Sequence, residues 1–313
     1  MPQLSAGHAT SLRARLSVSI SRIQNTNRFE VRARWGRQFP QEPRQDPNAC
    51  YLSRMKLGGR VAIVTGGGRG LGRSIALRLA AEGAAVAVSG TGREHLDATA
   101  HEIVAAGGRS LAVVTDVASE PDVVRMVDAT VREFGRLDIL VNNAGIAGPT
   151  ASVTDTRCED WESTLAVNLT GAFLCAKHAI PHLGAQNGGR IINITSVAGR
   201  IGYAMRSPYA ASKWGMIGLT RSLALELGAH GITVNAIAPG SVRGERIAKV
   251  VRERAASLGK SAADIEREFY VEPTALKRML DPEEIAGVAL FLASDEARGI
   301  TGETVGVTAG FRL

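Results

Sequence analysis

The sequence predicts one doubly wound α/β domain around a parallel sheet. Three observations predict it. Apolar, β-branched runs alternate with helix-period segments over about 250 residues. A glycine-rich turn joins the first of these runs to the first helical segment. Most runs are apolar throughout, as strands are when helices cover both faces of a sheet.

The elements follow in order. Residues 60–65 form the first strand and stop at Gly66-Gly67-Gly68. Leu71, Ile75, Leu79 and Ala80 then recur at helical spacing. Residues 86–89 are a second strand and 94–106 a second helix. Residues 111–114 are a third strand, and 121–134 a third helix opened by Pro121. Strand 138–141 precedes a long helix over 159–183, and strand 190–194 precedes another over 208–229. Residues 232–237 and 303–307 supply the sixth and seventh strands.

The charge is unevenly divided. Residues 1–54 hold nine arginines, no lysine and only Glu30, Glu42 and Asp46, hence +6 of the chain's +7. Residues 55–313 carry the remaining +1 and offer no charge argument for nucleic acid. The first segment lacks periodicity and is broken by Pro40, Pro43 and Pro47. It reads as a disordered leader, an Arg- and Ser-rich transit peptide, or residues upstream of a true start at Met55. The cytoplasm is the expected location, with the mitochondrial matrix the alternative for a eukaryotic transit peptide. Three scattered cysteines exclude a disulfide scaffold. No apolar run is long enough for a spanning helix. No Cys/His cluster has metal-ligand spacing; His178 and His182 are an isolated pair.

The sharpest local signal is Thr65-Gly66-Gly67-Gly68-Arg69-Gly70-Leu71-Gly72. Glycines there permit positive φ and close backbone approach to a pyrophosphate, and the helix start offers free N–H groups. Gly66, Gly68, Arg69, Gly70, Leu71 and Gly72 are therefore candidate nucleotide contacts. The second strand ends at Ser89-Gly90-Thr91-Gly92-Arg93, where an NAD-selective site carries an acid. Gly90, Thr91 and Arg93, with Arg69, suit a ribose 2′-phosphate instead. NADP(H) is the preferred cofactor and NAD(H) the alternative.

The ordered set Thr65-to-Gly72, Asp116-Val117, Asn142-Asn143-Ala144-Gly145, Asn168, Ser196, Tyr209-x-x-x-Lys213 and Pro239-Gly240 resembles the classical short-chain dehydrogenase/reductase family. The resemblance covers residues 58–313 and looks like the 3-oxoacyl-(acyl carrier protein) reductase branch, with sugar, polyol and hydroxyacid dehydrogenases. It implies a Rossmann-type, seven-stranded sheet and a homotetramer or homodimer built through the two long helices. It also implies that Asp116 and Val117 flank the adenine. Asn142, Ala144 and Gly145 would lie beside ribose and nicotinamide, and Pro239, Gly240 and Val242 along the nicotinamide. The segment Ser241-Val242-Arg243-Gly244 lacks the threonine that many relatives carry there, and Thr308-Ala309-Gly310 replaces their Asp-Gly-Gly.

The implied chemistry is hydride exchange between a nicotinamide and a carbonyl or secondary alcohol of a small substrate. Tyr209 and Lys213 stand at i and i+4 on one helix face. A neighbouring ammonium favours a phenolate, which suits this pair for proton transfer. By resemblance, Lys213 also holds the nicotinamide ribose, Ser196 orients the substrate oxygen, and Asn168 holds a water on a proton relay. A non-catalytic NADP-binding regulator is the reading from another class; such proteins lose Tyr, Lys or Ser, and all are present here. Residues 241–280 read as a substrate lid, with helical spacing over 245–254 and 262–270. Arg200, Arg206, Arg243 and Arg246 are candidate clamps for a substrate carboxylate or phosphate.

Overall fold

The computed structural model describes residues 55–183 and 188–311. The leader expected at residues 1–54 lies outside the described residues. Seven parallel strands are described: β1 Val61–Thr65, β2 Ala85–Gly90, β3 Arg109–Val114, β4 Ile139–Asn142, β5 Arg190–Ile194, β6 Thr233–Pro239 and β7 Thr304–Val307. Their order is β3-β2-β1-β4-β5-β6-β7. The order reverses between β1 and β4, the point at which sheets of this kind bind ligands beyond the carboxyl ends of their strands.

Side chains of successive strand residues point to opposite faces. Ala62 and Val64 of β1 therefore join one core, while Val61 and Ile63 join the other. The first core receives Ile75 and Leu79 from α1 (Gly70–Ala81), Leu96 and Ile103 from α2 (Arg93–Ala105), and Ile285 and Leu292 from a C-terminal helix, Pro282–Ala293. The second receives Val123 and Met126 from α3 (Glu120–Phe134), together with residues of the two long helical segments. Edge strand β3 is only half-buried, whereas β1, β4, β5 and β6 are buried throughout.

The helix expected over 159–183 is segmented. It comprises α4 (Cys158–Leu165), a π turn (Ala166–Thr170), α5 (Gly171–Ala179) and a final 3₁₀ turn through His182. A π turn widens the helix by one residue. Here it falls on Asn168, whose side chain is fully buried and bonded across to the β4 loop. The other long helix, α6 (Ser207–Leu227), is continuous.

The expected lid contains α7 (Glu245–Leu258) and α8 (Ala262–Glu266), which runs into a π turn through Val271. Val250, Val251, Ala255, Ile265, Tyr270 and Met279 give it a small core of its own. The chain then enters α9 (Pro282–Ala293) through a capping box of Asp281 and Glu284. Arg278 grips Glu284 with two bonds of 2.7 and 2.8 Å. That pairing, with the Asp281 N–H, pulls the Glu284 carboxyl down to about 2. Among the described residues, no helix is long and apolar enough to cross a membrane.

Candidate active site

The carboxyl ends of β1 and β4 are stitched together by side chains. Thr65 Oγ1 donates to Val141 O at 3.2 Å and accepts from the N–H groups of Asn143 and Ala144, both at 3.0 Å. Asn143 Nδ2 returns to Thr65 O at 2.8 Å. The turn after β4 is thereby fixed against the glycine turn after β1.

That glycine turn has the shape of a nucleotide cradle. Gly66 and Gly70 take φ of 65° and 51°, in the left-handed region. A Cβ on Gly72 would overlap the Gly66 carbonyl oxygen and the Asn143 amide, so backbone passes there where no side chain fits. No side chain caps the start of α1, which leaves first-turn N–H groups for an anion. Arg69, at the cap position, is exposed. These features fit a dinucleotide pyrophosphate.

The 2′-end of the cradle contains no carboxylate within the run Ser89–Gly92. Thr91 is exposed at the end of β2. Arg93 is mostly exposed and lies 3.7 Å from Asp97, a single weak surface pair. Asp116 is exposed, whereas Val117 is buried against Gly171 of α5. Asn142 lies with Thr65, Val117 and Ala144 at the strand ends: its Nδ2 donates to Asn193 Oδ1 at 2.9 Å, Asn193 donates to Thr220 Oγ1 at 2.9 Å, and the Asn142 Oδ1 is buried without a partner. Gly240 packs against the Thr308 backbone, and Val242 bridges to Leu280.

Four sequence-assigned residues gather beyond β5. Lys213 is 3 % exposed, and its Nζ donates to Ile194 O at 2.9 Å, 5.7 Å from the Tyr209 ring centroid. Thr195 Oγ1 donates to the Lys213 carbonyl at 2.9 Å, which ties α6 to the end of β5. Ser196 follows, its Oγ accepting from Ala198 N at 3.2 Å. Asn168 brackets Ile146 with bonds to both its N–H and its carbonyl. Its Nδ2 also reaches Ser212 Oγ at 3.0 Å, and Ser212 donates to Tyr209 O. The Asn168 side chain thus holds the loop after β4 against the helix that carries Tyr209 and Lys213. Gly145 completes the contact: a Cβ there would lie 2.9 Å from Asn168 Oδ1 and 3.6 Å from Lys213 Nζ.

Burial pulls Lys213 down to about 7, with the Arg246 charge adding to the fall. In the ligand-free protein its ammonium is therefore fully present only below that pH. Arg246 belongs to α7 and donates to Gly145 O at 2.7 Å. Among the described residues, no group of three or more His, Cys, Asp or Glu side chains is placed to hold a metal.

Sequence reasoning passed over Ser212, Asn193, Thr220 and Arg254. Ser212 had a usable signal, because it adjoins Lys213 and faces the segment of Asn168. Arg254 had none, since its neighbours Tyr203, Phe269 and Tyr270 come from distant segments.

Comparison with known proteins places the chain in a family. A family model described as enoyl-(acyl carrier protein) reductase matches residues 66–312. The chain is 40 % identical over 257 residues to a 3-oxoacyl-(acyl-carrier-protein) reductase of Synechocystis sp., covering 80 % of this chain and 96 % of that one. It is 43 % identical over 255 residues to a short-chain dehydrogenase/reductase of Armillaria gallica, covering 80 % and 95 %. A crystal structure of NAD⁺-bound xylitol dehydrogenase superposes with a TM-score of 0.78 at 35 % identity, covering 82 % of this chain and all of that one. The chain belongs to the short-chain dehydrogenase/reductase family, NAD(P)-dependent oxidoreductases of carbonyl and alcohol substrates.

Proposed function

We propose that the protein is an NADP(H)-preferring reductase of a small carbonyl compound, reversible as a secondary-alcohol dehydrogenase. The observation that carries this reading is the placement of buried Lys213 against the Tyr209 ring, beside the turn that closes the glycine cradle. When bound, the nicotinamide supplies or accepts the hydride. Tyr209 gives its phenolic proton to the substrate oxygen in reduction and takes it back in oxidation. Ser196 donates a hydrogen bond to the same oxygen and fixes its orientation. Lys213 supports Tyr209 electrostatically and holds the cofactor's ribose hydroxyls. Asn168 is a positioning residue, because both ends of its amide are engaged by Ile146 and Ser212.

The cofactor contacts in this reading are the backbone from Gly66 to Gly72 for the pyrophosphate and Asp116 with Val117 for the adenine. Asn142, Ala144 and Gly145 lie beside the ribose and nicotinamide, and Pro239, Gly240 and Val242 line the nicotinamide side. The absence of an acid within Ser89–Gly92 at the end of β2, the first being Glu94, together with Arg69 and Arg93, supports NADP(H). A second reading is an NAD-dependent sugar, polyol or hydroxyacid dehydrogenase. The Arg93 contact with Asp97 and the likeness to an NAD⁺-bound structure favour it. Exposed Trp161, Phe173, Trp214 and Leu225 on α4, α5 and α6 support a homodimer or homotetramer through those helices.

Titration with NADPH and NADH, followed by nicotinamide fluorescence, separates the two cofactors; tighter NADH binding overturns the preference. Tyr209→Phe should retain cofactor binding and lose turnover by about 100-fold or more. Near-normal turnover would remove Tyr209 as the proton donor.

A further inference from the structure

The four candidate clamp arginines separate in the structure. Arg243 pairs with Asp281 at 2.8 Å. Arg246 bonds the Gly145 carbonyl, on the cofactor side. Arg200 is exposed and lies against Gly306 of β7. Only Arg206 is buried, 3 % exposed, at the start of α6. A fifth arginine, Arg254 of α7, joins it at 9 % exposed.

The two guanidinium groups share one aromatic ring. Their central carbons lie 6.0 and 5.6 Å from the centroid of Tyr203. Arg254 also stacks on Phe269 at 4.7 Å and donates to Tyr270 OH at 3.3 Å. Arg206 stands 5.4 Å from the ring of Tyr209 itself. Met205, just before it, takes a left-handed φ of 65°, a conformation that a side chain adopts only against resistance.

Neither arginine has a carboxylate within 4 Å among the described residues. Glu253 is linked to Arg206 through a hydroxyl: Thr150 Oγ1 donates to Glu253 at 3.2 Å and accepts from Arg206 Nη1 at 3.2 Å. Arg206 Nη2 donates to Ala147 O at 2.8 Å. Its Nε is buried without a partner, as is the Ser207 hydroxyl beside it in the chain. Burial, its leading cause, raises the Tyr270 phenol above the ordinary range, so that neighbour stays neutral. Buried Arg190, whose Nε also lacks a partner, differs in having a carboxylate, Asp295 at 3.2 Å, besides the carbonyls of Gly188 and Gly189.

Two buried positive charges with no carboxylate in direct contact are unfavourable. A planar carboxylate relieves that by accepting two parallel N–H bonds from one fork. We propose that Arg206, backed by Arg254 of the lid, binds the substrate's carboxylate, which makes the substrate a short oxo acid or hydroxy acid. The inference rests on the oxidoreductase reading above and narrows its substrate class. In reduction, hydride adds to the carbonyl carbon and the Tyr209 proton to its oxygen, giving the hydroxy acid and oxidised nicotinamide. The carboxylate itself does not react. A thioester or a neutral polyol brings no charge to this place.

The test uses short 2-oxo and 3-oxo acids, their methyl esters, and acetoacetyl-coenzyme A as a thioester. Each is assayed for NADPH oxidation with the wild type, Arg206→Met and Arg254→Met. The same oxo acids, and inorganic phosphate, are titrated calorimetrically into the NADP⁺-bound proteins, where no turnover occurs. The wild type should prefer an acid over its ester by about 50-fold in kcat/KM, and the preference should collapse in Arg206→Met. Arg254→Met should reduce it in the same direction, which keeps the test decisive if the first variant does not fold. Esters or the thioester turned over as well as acids would overturn the site, as would phosphate binding in place of the acids or acid binding intact in both variants. Oxo acids that bind the wild type, fail to bind the variants and are never reduced would leave the anion site standing and overturn the oxidoreductase reading.

Discussion

Lys213 gives a stability measurement that needs no substrate. Burial lowers it from 10.5 to about 7 in the folded protein. The unfolded chain therefore binds more protons than the native one between about pH 7 and pH 10.5. Stability rises with pH across that window, and the penalty for the buried charge is fully present below it. At roughly 1.4 kcal/mol per pH unit the penalty is on the order of 5 kcal/mol. That is an upper bound, because a charged side chain swings toward the cleft when it can. Substituting Lys213→Met keeps much of the stem and removes the charge. It also removes the donor from Ile194 O, an offset that does not vary with pH. Thermal unfolding of both cofactor-free proteins from pH 6 to pH 10 gives a difference curve in which other titrations cancel. The wild type should gain on the variant by up to about 10 °C as pH rises. A flat difference curve, or one that falls with pH, would refute the buried, proton-losing lysine.

Other perturbations act on the same elements. Arg246→Ala removes a positive charge that depresses Lys213, so the step in that difference curve should move to higher pH; 1 M salt should move the wild type the same way, and an unmoved step would sever Arg246 from Lys213. Arg69→Ala should weaken NADPH binding by about tenfold more than NADH binding, read by fluorescence titration; equal weakening would remove Arg69 from the 2′-phosphate. Gly72→Ala meets backbone at Gly66 and the Asn143 amide, and neither can yield freely. It should destabilise the fold by about 1–3 kcal/mol in urea titration and weaken nucleotide binding; a neutral result would mean the turn is looser than its geometry.

The sheet was legible because its signals are local. Apolar β-branched runs, glycine at the strand–helix turn and the helical period each arise within a dozen residues. The helix expected over 159–183 shows where locality ends. Its apolar period continues across Asn168, yet a π turn interrupts it there. At that residue the side chain meets a partner 22 residues earlier in the chain, the Ile146 backbone, which donates to and accepts from a single amide. No helical periodicity encodes that demand.

The site divides along the same line. Tyr209 and Lys213 belong to one helix, so their spacing announced them. The charge balance around the substrate depends instead on which arginines find carboxylates, and that is decided between elements. Arg206 and Arg243 read alike in the sequence, each on a loop near the expected pocket. Folding puts Asp281 beside Arg243 and an aromatic ring beside Arg206. Arg254 looks like one more charge on an amphipathic helix until Tyr203 and Tyr270 close around it. Cofactor chemistry in this protein is thus written into short motifs at strand ends. The charge left over once residues 241–280 have made their ion pairs is set between elements, and beside Tyr209 it is the buried guanidinium of Arg206.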